Sequence, residues 1–141
     1  MEAANGASTK TADIGKLILR VSLGVLVLLH GIGKLISGPE FVLKVVGAAG
    51  LPTALGYLVY LGEVIAPVLL IVGLWSRMAA LIVAASLAVA VLLVMPEQIF
   101  ALADTGGWAI ELEGIYVFAA IAVAFLGAGR YSIGGAHGRW N

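Results

Sequence analysis

The chain has 141 residues, of which 62% are hydrophobic, and its formal net charge is zero. Its mean hydropathy is +1.10, whereas a soluble domain is only about half apolar, so the composition indicates an integral membrane protein. The balanced charge argues against nucleic acid as a partner. The absence of cysteine excludes disulfides, cysteine-ligated iron–sulfur clusters and dithiol chemistry on this chain.

The N-terminal residues 1–12 are small and polar and predict a disordered tail ahead of a membrane domain over residues 13–131. Lys10 and Lys16 precede a long apolar run, as they would in a signal peptide. No Ala-x-Ala-like cleavage site closes this run, so we expect an uncleaved first transmembrane helix.

That first span, Leu17–Ile36, has about 20 residues and reaches roughly 30 Å at about 1.5 Å per residue, which is the thickness of a bilayer's hydrocarbon core. Its ionisable side chains share one arc of the helix with three other residues, so this arc should face other helices and the remainder should face lipid. The arc holds Arg20, Leu23, Val27, His30, Gly31 and Lys34, and Gly24 lies at its edge.

The second span begins after a short amphipathic segment. Pro39 can open a helix, and Phe41–Ala49 is too short to cross a membrane, so it predicts an interfacial helix. The second span is Thr53–Leu74, with Glu63 near its middle. Pro67 lies four residues later and has no N–H, so it leaves the carbonyl of Glu63 without its usual helical partner. Gly56, Tyr60, Glu63 and Pro67 share one face of this helix.

The third span, Met78–Met95, follows a very short turn, so it must run antiparallel beside the second. Its alanines recur every four residues, which predicts close helix packing and no chemistry; they are Ala80, Ala84 and Ala88. The connection Pro96–Gly107 has an apolar middle that should dip into the membrane interface. The fourth span is Trp108–Gly127, and a polar tail follows over residues 132–141.

Lysine and arginine concentrate on the side that holds both termini and the turn between the second and third spans. The positive-inside rule then places both termini in the cytoplasm. The predicted fold is an all-α, multi-pass protein of a bacterial inner membrane. It is a four-transmembrane-helix antiparallel bundle with short interfacial helices in its two non-cytoplasmic connections.

Four ionisable side chains are the candidates for a functional site. Counted at about 1.5 Å per residue from the cytoplasmic surface, His30 lies about 20 Å and Glu63 roughly 17 Å deep. Lys34 and Glu111 both come out near the outer surface. The sequence therefore leaves three arrangements open: His30 with Glu63, Lys34 with Glu111, or one network of all four.

Each group has a structural and a functional interpretation. A mid-membrane carboxyl such as Glu63 is costly and usually marks a pathway or a ligand. A neutral His30 can bind a quinone carbonyl, carry a proton or ligate a haem. Because His137 lies in the tail, haem held by two histidines of this chain is not expected, and no metal site is predicted. Arg20, Arg77 and Arg130 are interpreted as structural or topology charges.

Four motifs follow one another along the chain from about Lys16 to Ile133. They are Arg20-x3-Gly24-x5-His30-Gly31-x2-Lys34, Gly62-Glu63 with Leu-x2-Gly-Leu-x2-Arg77, Glu111-Leu-x3-Tyr116, and Gly127-x-Gly129-Arg130-Tyr131-Ser132. In this order and at this spacing, the motifs resemble the DoxX family. The resemblance implies a small four-helix membrane protein tied to redox physiology. The family takes its name from a subunit of a thiosulfate:quinone oxidoreductase, and other members are linked to membrane-bound oxidoreductase complexes and thiol stress. Carried over by position, the resemblance points to Arg20, His30, Lys34, Glu63, Arg77, Glu111 and Arg130.

Three functions stay open at this point. The first is a membrane subunit of a quinone-linked redox complex, in which His30 and Glu63 bind the quinone or relay its protons, Lys34 and Glu111 close the pocket, and electrons come from a partner subunit. The second is a structural or assembly subunit of a larger membrane complex without a site of its own. The third is a small-molecule or proton transporter. The expected partners are lipid and either other membrane subunits or further copies of the chain; the expected cofactor is a non-covalent quinone, and catalysis by this chain alone is left open.

Overall fold

The computed structural model describes the backbone of residues 2–141 and the side chains from residue 9 onward. Within these residues the regular elements are helical, and one isolated β-bridge joins Leu102 to Trp108. In chain order the elements are α1 (Glu2–Ser37), α2 (Glu40–Ala48), a 3₁₀ turn (Thr53–Tyr57), α3 (Leu58–Tyr60), a π-helical turn (Leu61–Ile65), α4 (Ala66–Val72), α5 (Ser76–Val94), a second 3₁₀ turn (Pro96–Gln98) and α6 (Glu111–Leu126).

The long helices share one core. Helix α1 packs against α4 and α6, and α5 packs against the same two helices, while α2 lies against the first 3₁₀ turn. Half of the buried core residues are alanines, which lets the helix backbones approach closely. The core consists of Leu23, Val27, Ala66, Leu70, Ala79, Ala80, Val83, Ala84, Ala120 and Val123. The small-residue face predicted for the third span is thus used for packing at Ala80 and Ala84.

Two helical stretches, Thr53–Val72 and Ser76–Val94, are long and apolar enough to cross a membrane by length and composition. Large apolar side chains also cover the outside of the other helices. Ile36 is 82% exposed and Phe125 79%, and such an exterior suits lipid tails better than water. The architecture therefore fits a helical membrane protein, while the four-span topology with cytoplasmic termini stays a prediction.

The N-terminal boundary differs from the expectation. Helix α1 already begins at Glu2, although residues 1–12 were predicted to form a disordered tail. Residue 1 and the side chains of residues 2–8 lie outside the described part. The segment contains several Ala residues with Glu and Lys, which favour helix, and extending an existing helix costs far less than starting one.

The second connection also differs from the expectation. A short interfacial helix was predicted there, but Pro96–Gln98 is a single 3₁₀ turn. The rest folds back on itself, because the N–H of Ala103 donates to Gly107 and that of Ala109 donates to Ala101. Gly106 permits this turn with a φ of +85°. The first connection does contain the predicted short helix, as α2.

Arg20 is the most deeply buried charged residue of the core. It is 1% exposed and donates to the carbonyl oxygens of Leu70, of Ile71 (2.7 Å) and of Tyr131 (2.7 Å). The last carbonyls of a helix have no helical partner and carry partial negative charge. Arg20 therefore ties the end of α4 and the segment after α6 to α1.

The other two arginines lie at the same end of the molecule. The guanidinium of Arg77 donates to the carbonyl oxygens of Asn141 (3.1 Å) and Ala124 (3.3 Å). Arg130 is exposed, and its backbone N–H lies 3.4 Å from a carboxylate oxygen of Asp13. Arg20 and Arg77 thus bind backbone, in keeping with a structural role.

Replacing Arg20 with leucine should lower the stability by about 2–5 kcal/mol, because buried acceptors that lose their donor cost about 1–3 kcal/mol each. The matched control is Arg130→Leu, since that side chain is exposed. Thermal unfolding in a mild detergent measures both variants. Equal unfolding temperatures for the two would contradict the role given to Arg20.

Candidate functional site

An ion pair between Lys34 and Glu63 forms the centre of the candidate site. Nζ of Lys34, near the end of α1, lies 2.5 Å from Oε1 of Glu63 in the π-helical turn. The side chain of Glu63 is 2% exposed and that of Lys34 is 34% exposed. The pair therefore joins a buried carboxylate to an ammonium that still reaches the surface of the protein.

The local backbone explains how Glu63 comes to lie there. The π-helical turn Leu61–Ile65 directly precedes Pro67, whose missing N–H disrupts the regular α-helical ladder at this point. Gly31 of α1 lies so close that a Cβ there would overlap the carbonyl oxygen of Glu63. A glycine on α1 and an irregular turn on its neighbour thus bring the two backbones together beside the carboxylate.

Tyr60, about one helical turn before Glu63, also joins the second helical stretch to α1. Its hydroxyl lies 3.3 Å from the carbonyl oxygen of Lys34, at the end of α1 where helix carbonyls lack partners. The predicted shared face of the second span is therefore partly confirmed, since Tyr60 and Glu63 both face α1. Gly56 instead packs against Leu43 of α2.

One carboxylate oxygen of Glu63 has no partner. Oε2 is fully buried and makes no hydrogen bond within the described part of the chain. Buried polar atoms are nearly always paired, and an unpaired one costs roughly 1–3 kcal/mol. Such an atom in a site suggests a hydrogen bond to a bound molecule or to a proton.

His30 does not contact Glu63. It is exposed, and its ring lies 6.2 Å from the ring of Tyr116 in α6, at an interplanar angle of 69°. Helical side chains lean toward the N-terminus of their own helix. Lys34 and Glu63, on neighbouring helical stretches that run in opposite directions, therefore lean toward each other, while His30 leans away from Glu63. The depths predicted from the sequence followed only the rise of the backbone per residue, so they did not include the direction of the side chains.

Glu111 does not pair with Lys34 either. It lies in the first turn of α6, is exposed, and has its carboxylate beside Gly107. The structure thus brings together one residue from each of the two predicted pairs, and the four-residue network is not formed. The residues that the structure describes hold no group of three His, Cys, Asp or Glu side chains able to bind a metal ion.

A cleft of about 410 Å³ lies next to the ion pair, within the usual range of ligand pockets of about 300–1,000 Å³. Its walls come from α2, the helical stretch after it, and one face of α5. Among the described residues, Lys34 and Ser86 are the only polar side chains in its lining, and Gly62, the neighbour of Glu63, also lines it. Sequence reasoning missed this cleft, because it depends on how α2 folds back over the other two walls.

Comparisons of the sequence with known proteins identify a family and one relative. The model of the DoxX family matches residues 15–96, which is more than half of the chain and includes Lys34, Glu63 and the whole cleft. A Bacillus subtilis (strain 168) protein named "Putative oxidoreductase CatD" is 34% identical over 85 residues, covering 60% of this chain and 63% of that relative. The chain thus matches less than two thirds of the relative's length. No solved structure matches the chain.

Replacing Gly31 with alanine should destabilise the protein by about 1–3 kcal/mol, the usual cost of overpacking. The added Cβ would meet the backbone of Glu63, which cannot rotate away. Gly33→Ala is the matched control, because a Cβ there has nothing within 4 Å, and removing a helical glycine should be neutral or stabilising. If unfolding experiments in detergent gave the two variants the same stability, the close contact between α1 and Glu63 would be refuted.

Proposed function

Since the chain belongs to the DoxX family, we propose that it is a membrane subunit of a quinone-linked redox complex and that Lys34 and Glu63 form the polar end of its quinone site. The observation that carries the proposal is the buried Lys34–Glu63 pair, which has an unpartnered carboxylate oxygen and borders an apolar cleft. The name of the Bacillus subtilis relative supports the link to redox chemistry.

The charge of the pair suits a neutral ligand. The ammonium of Lys34 has three N–H donors, of which one points to Glu63. The remaining donors can bind a quinone carbonyl oxygen, and the paired charges leave no net charge at the polar end. A hydrogen bond from a charged donor is about twice as strong as one between neutral groups, so in this proposal Lys34 takes the head-group role that was predicted for His30.

The unpartnered Oε2 of Glu63 completes the chemistry. Reduction of a quinone to a quinol takes up two electrons and two protons, and the quinol then has hydroxyl donors. In this proposal Oε2 accepts a hydrogen bond from a quinol hydroxyl, and Glu63 is the residue that exchanges protons with the head group. The electrons come from a partner subunit, in keeping with the absence of cysteine in this chain.

The first test replaces Glu63 with glutamine, which keeps the side-chain shape but removes its charge. Quinone binding by the purified protein should fall about tenfold or more, because the neutral amide no longer holds the ammonium of Lys34 at the head group, and a hydrogen bond to a charged group contributes about 1.5–3 kcal/mol. Glu111→Gln is the matched control, since that carboxylate is exposed and outside the cleft. The measurement is the amount of quinone that co-purifies in a gentle detergent, followed by titration with added quinone. Unchanged binding in Glu63→Gln would refute the site.

A purely architectural role is the second candidate, and one observation favours it: Lys34 and Glu63 already neutralise each other. Exchanging the two residues, as Lys34→Glu with Glu63→Lys, separates the roles. Compared with either single replacement, the exchanged protein should recover thermal stability. It should not recover quinone binding, because a carboxylate would then line the cleft. Recovery of both properties would mean that the pair has only an architectural role and that neither side chain binds the head group directly.

A further inference from the structure

We infer that the cleft beside Lys34 is the binding site for the single apolar tail of the quinone, and this inference rests on the proposed function. The cleft is lined along α5 from Ile82 to Val94. Its polar groups lie at one place, because Lys34 pairs with Glu63 and the neighbouring Gly62 packs against Ser86. Beyond Ser86 the wall on α5 is apolar as far as Val94, and this part is about 12 Å long at about 1.5 Å per residue.

Small residues create the space. Ala85, Ala90 and Gly62 leave room where larger side chains would fill the cleft. Helix α2 closes one side, since Leu43 packs directly onto Gly56. Several lining side chains are exposed, including Leu58 (58%) and Val89 (52%), so the cleft opens at the apolar exterior. A ligand can therefore enter from the lipid without passing through water.

The chemistry of the lining selects the class of ligand. An elongated apolar cleft with one polar end fits a neutral head group that carries one hydrocarbon chain. A phospholipid has two chains and an anionic phosphate, whereas Lys34, the one cation among the described residues of the lining, is already neutralised by Glu63. A long isoprenoid quinone meets both requirements, which leads us to assign its tail to the apolar wall between Ser86 and Val94.

The experiment compares quinones that share a head group. Menaquinone-4 and its tail-less parent menadione form one pair, and ubiquinone-2 and ubiquinone-0 form another. They are titrated into the full-length protein in lipid nanodiscs. The informative comparison is between protein variants, because membrane partition raises the local concentration of a tailed quinone equally for all of them.

The test variant is Ala90→Phe, which fills the cleft away from the ion pair. It should weaken binding of the tailed quinones about tenfold and leave binding of the tail-less ones within about twofold. The added ring would occupy space that only the tail needs, and overpacking is unfavourable. Leu92→Phe is the control on the same helix, because Leu92 is 59% exposed and does not line the cleft. Val89→Phe, which lies on the same apolar wall, is a second filling variant if Ala90→Phe lowers the unfolding temperature.

The outcomes separate this inference from the proposed function. If the wild-type protein binds neither kind of quinone, the proposed function fails. If it binds both kinds but the filling variants weaken them equally or not at all, the tail assignment is wrong and the head-group site stands. Native mass spectrometry adds one more result: a phospholipid in the cleft that excess tailed quinone does not displace would overturn the assignment. Glu63→Gln should weaken tailed and tail-less quinones alike.

Discussion

The cost of burying a polar group without a partner governs how α1 joins its neighbour. Arg20 and Lys34 lie about four turns apart on α1, and each binds the second helical stretch, Arg20 at its end and Lys34 at Glu63. Between them, a Cβ on Gly24 or Gly31 would collide with that stretch. Two polar anchors and two glycines thus fix the depth, direction and distance of one helix against the other, and the cleft depends on that placement.

The sequence predicted that Arg20 and Lys34 share one arc of α1, because a helix that enters an apolar environment must turn its ionisable groups away from lipid. Leu23 and Val27 on the same arc are buried, as expected. The partners on the facing helix could not be predicted in the same way. Counting a uniform rise places His30 level with Glu63, but the real stretch contains 3₁₀ and π-helical turns, and side-chain lean favours Lys34. The resemblance to a family marked Glu63 as a candidate but did not identify its contact.

Irregular segments were predicted less well than the helices, for a related reason. The predicted spans lie on helical stretches because long apolar runs with helical periodicity allow few alternatives. In the second connection, the N–H of the Trp108 indole binds the carbonyl oxygen of Ile99 at 2.7 Å, and this contact helps fold an apolar segment into a turn instead of a helix. Such a contact joins residues that no periodic pattern relates, so it could not be predicted from the sequence. The cleft could not be predicted for the same reason, because it depends on how α2 in the first connection folds back.

The two oxygens of Glu63 separate an architectural pair from a functional one. A buried carboxylate with a purely structural role is expected to have a hydrogen-bond donor at each of its two oxygens, since each buried acceptor without a donor costs free energy. Oε1 is satisfied by Lys34 and Oε2 is not. In the described part of the chain, Ser86 and the partly exposed Lys34 supply the polar side chains that line the adjoining cleft, and a ligand with one polar end and one apolar chain would match this lining. That complementarity, more than the presence of charges in a membrane, is the physical reason to regard this pair as a site.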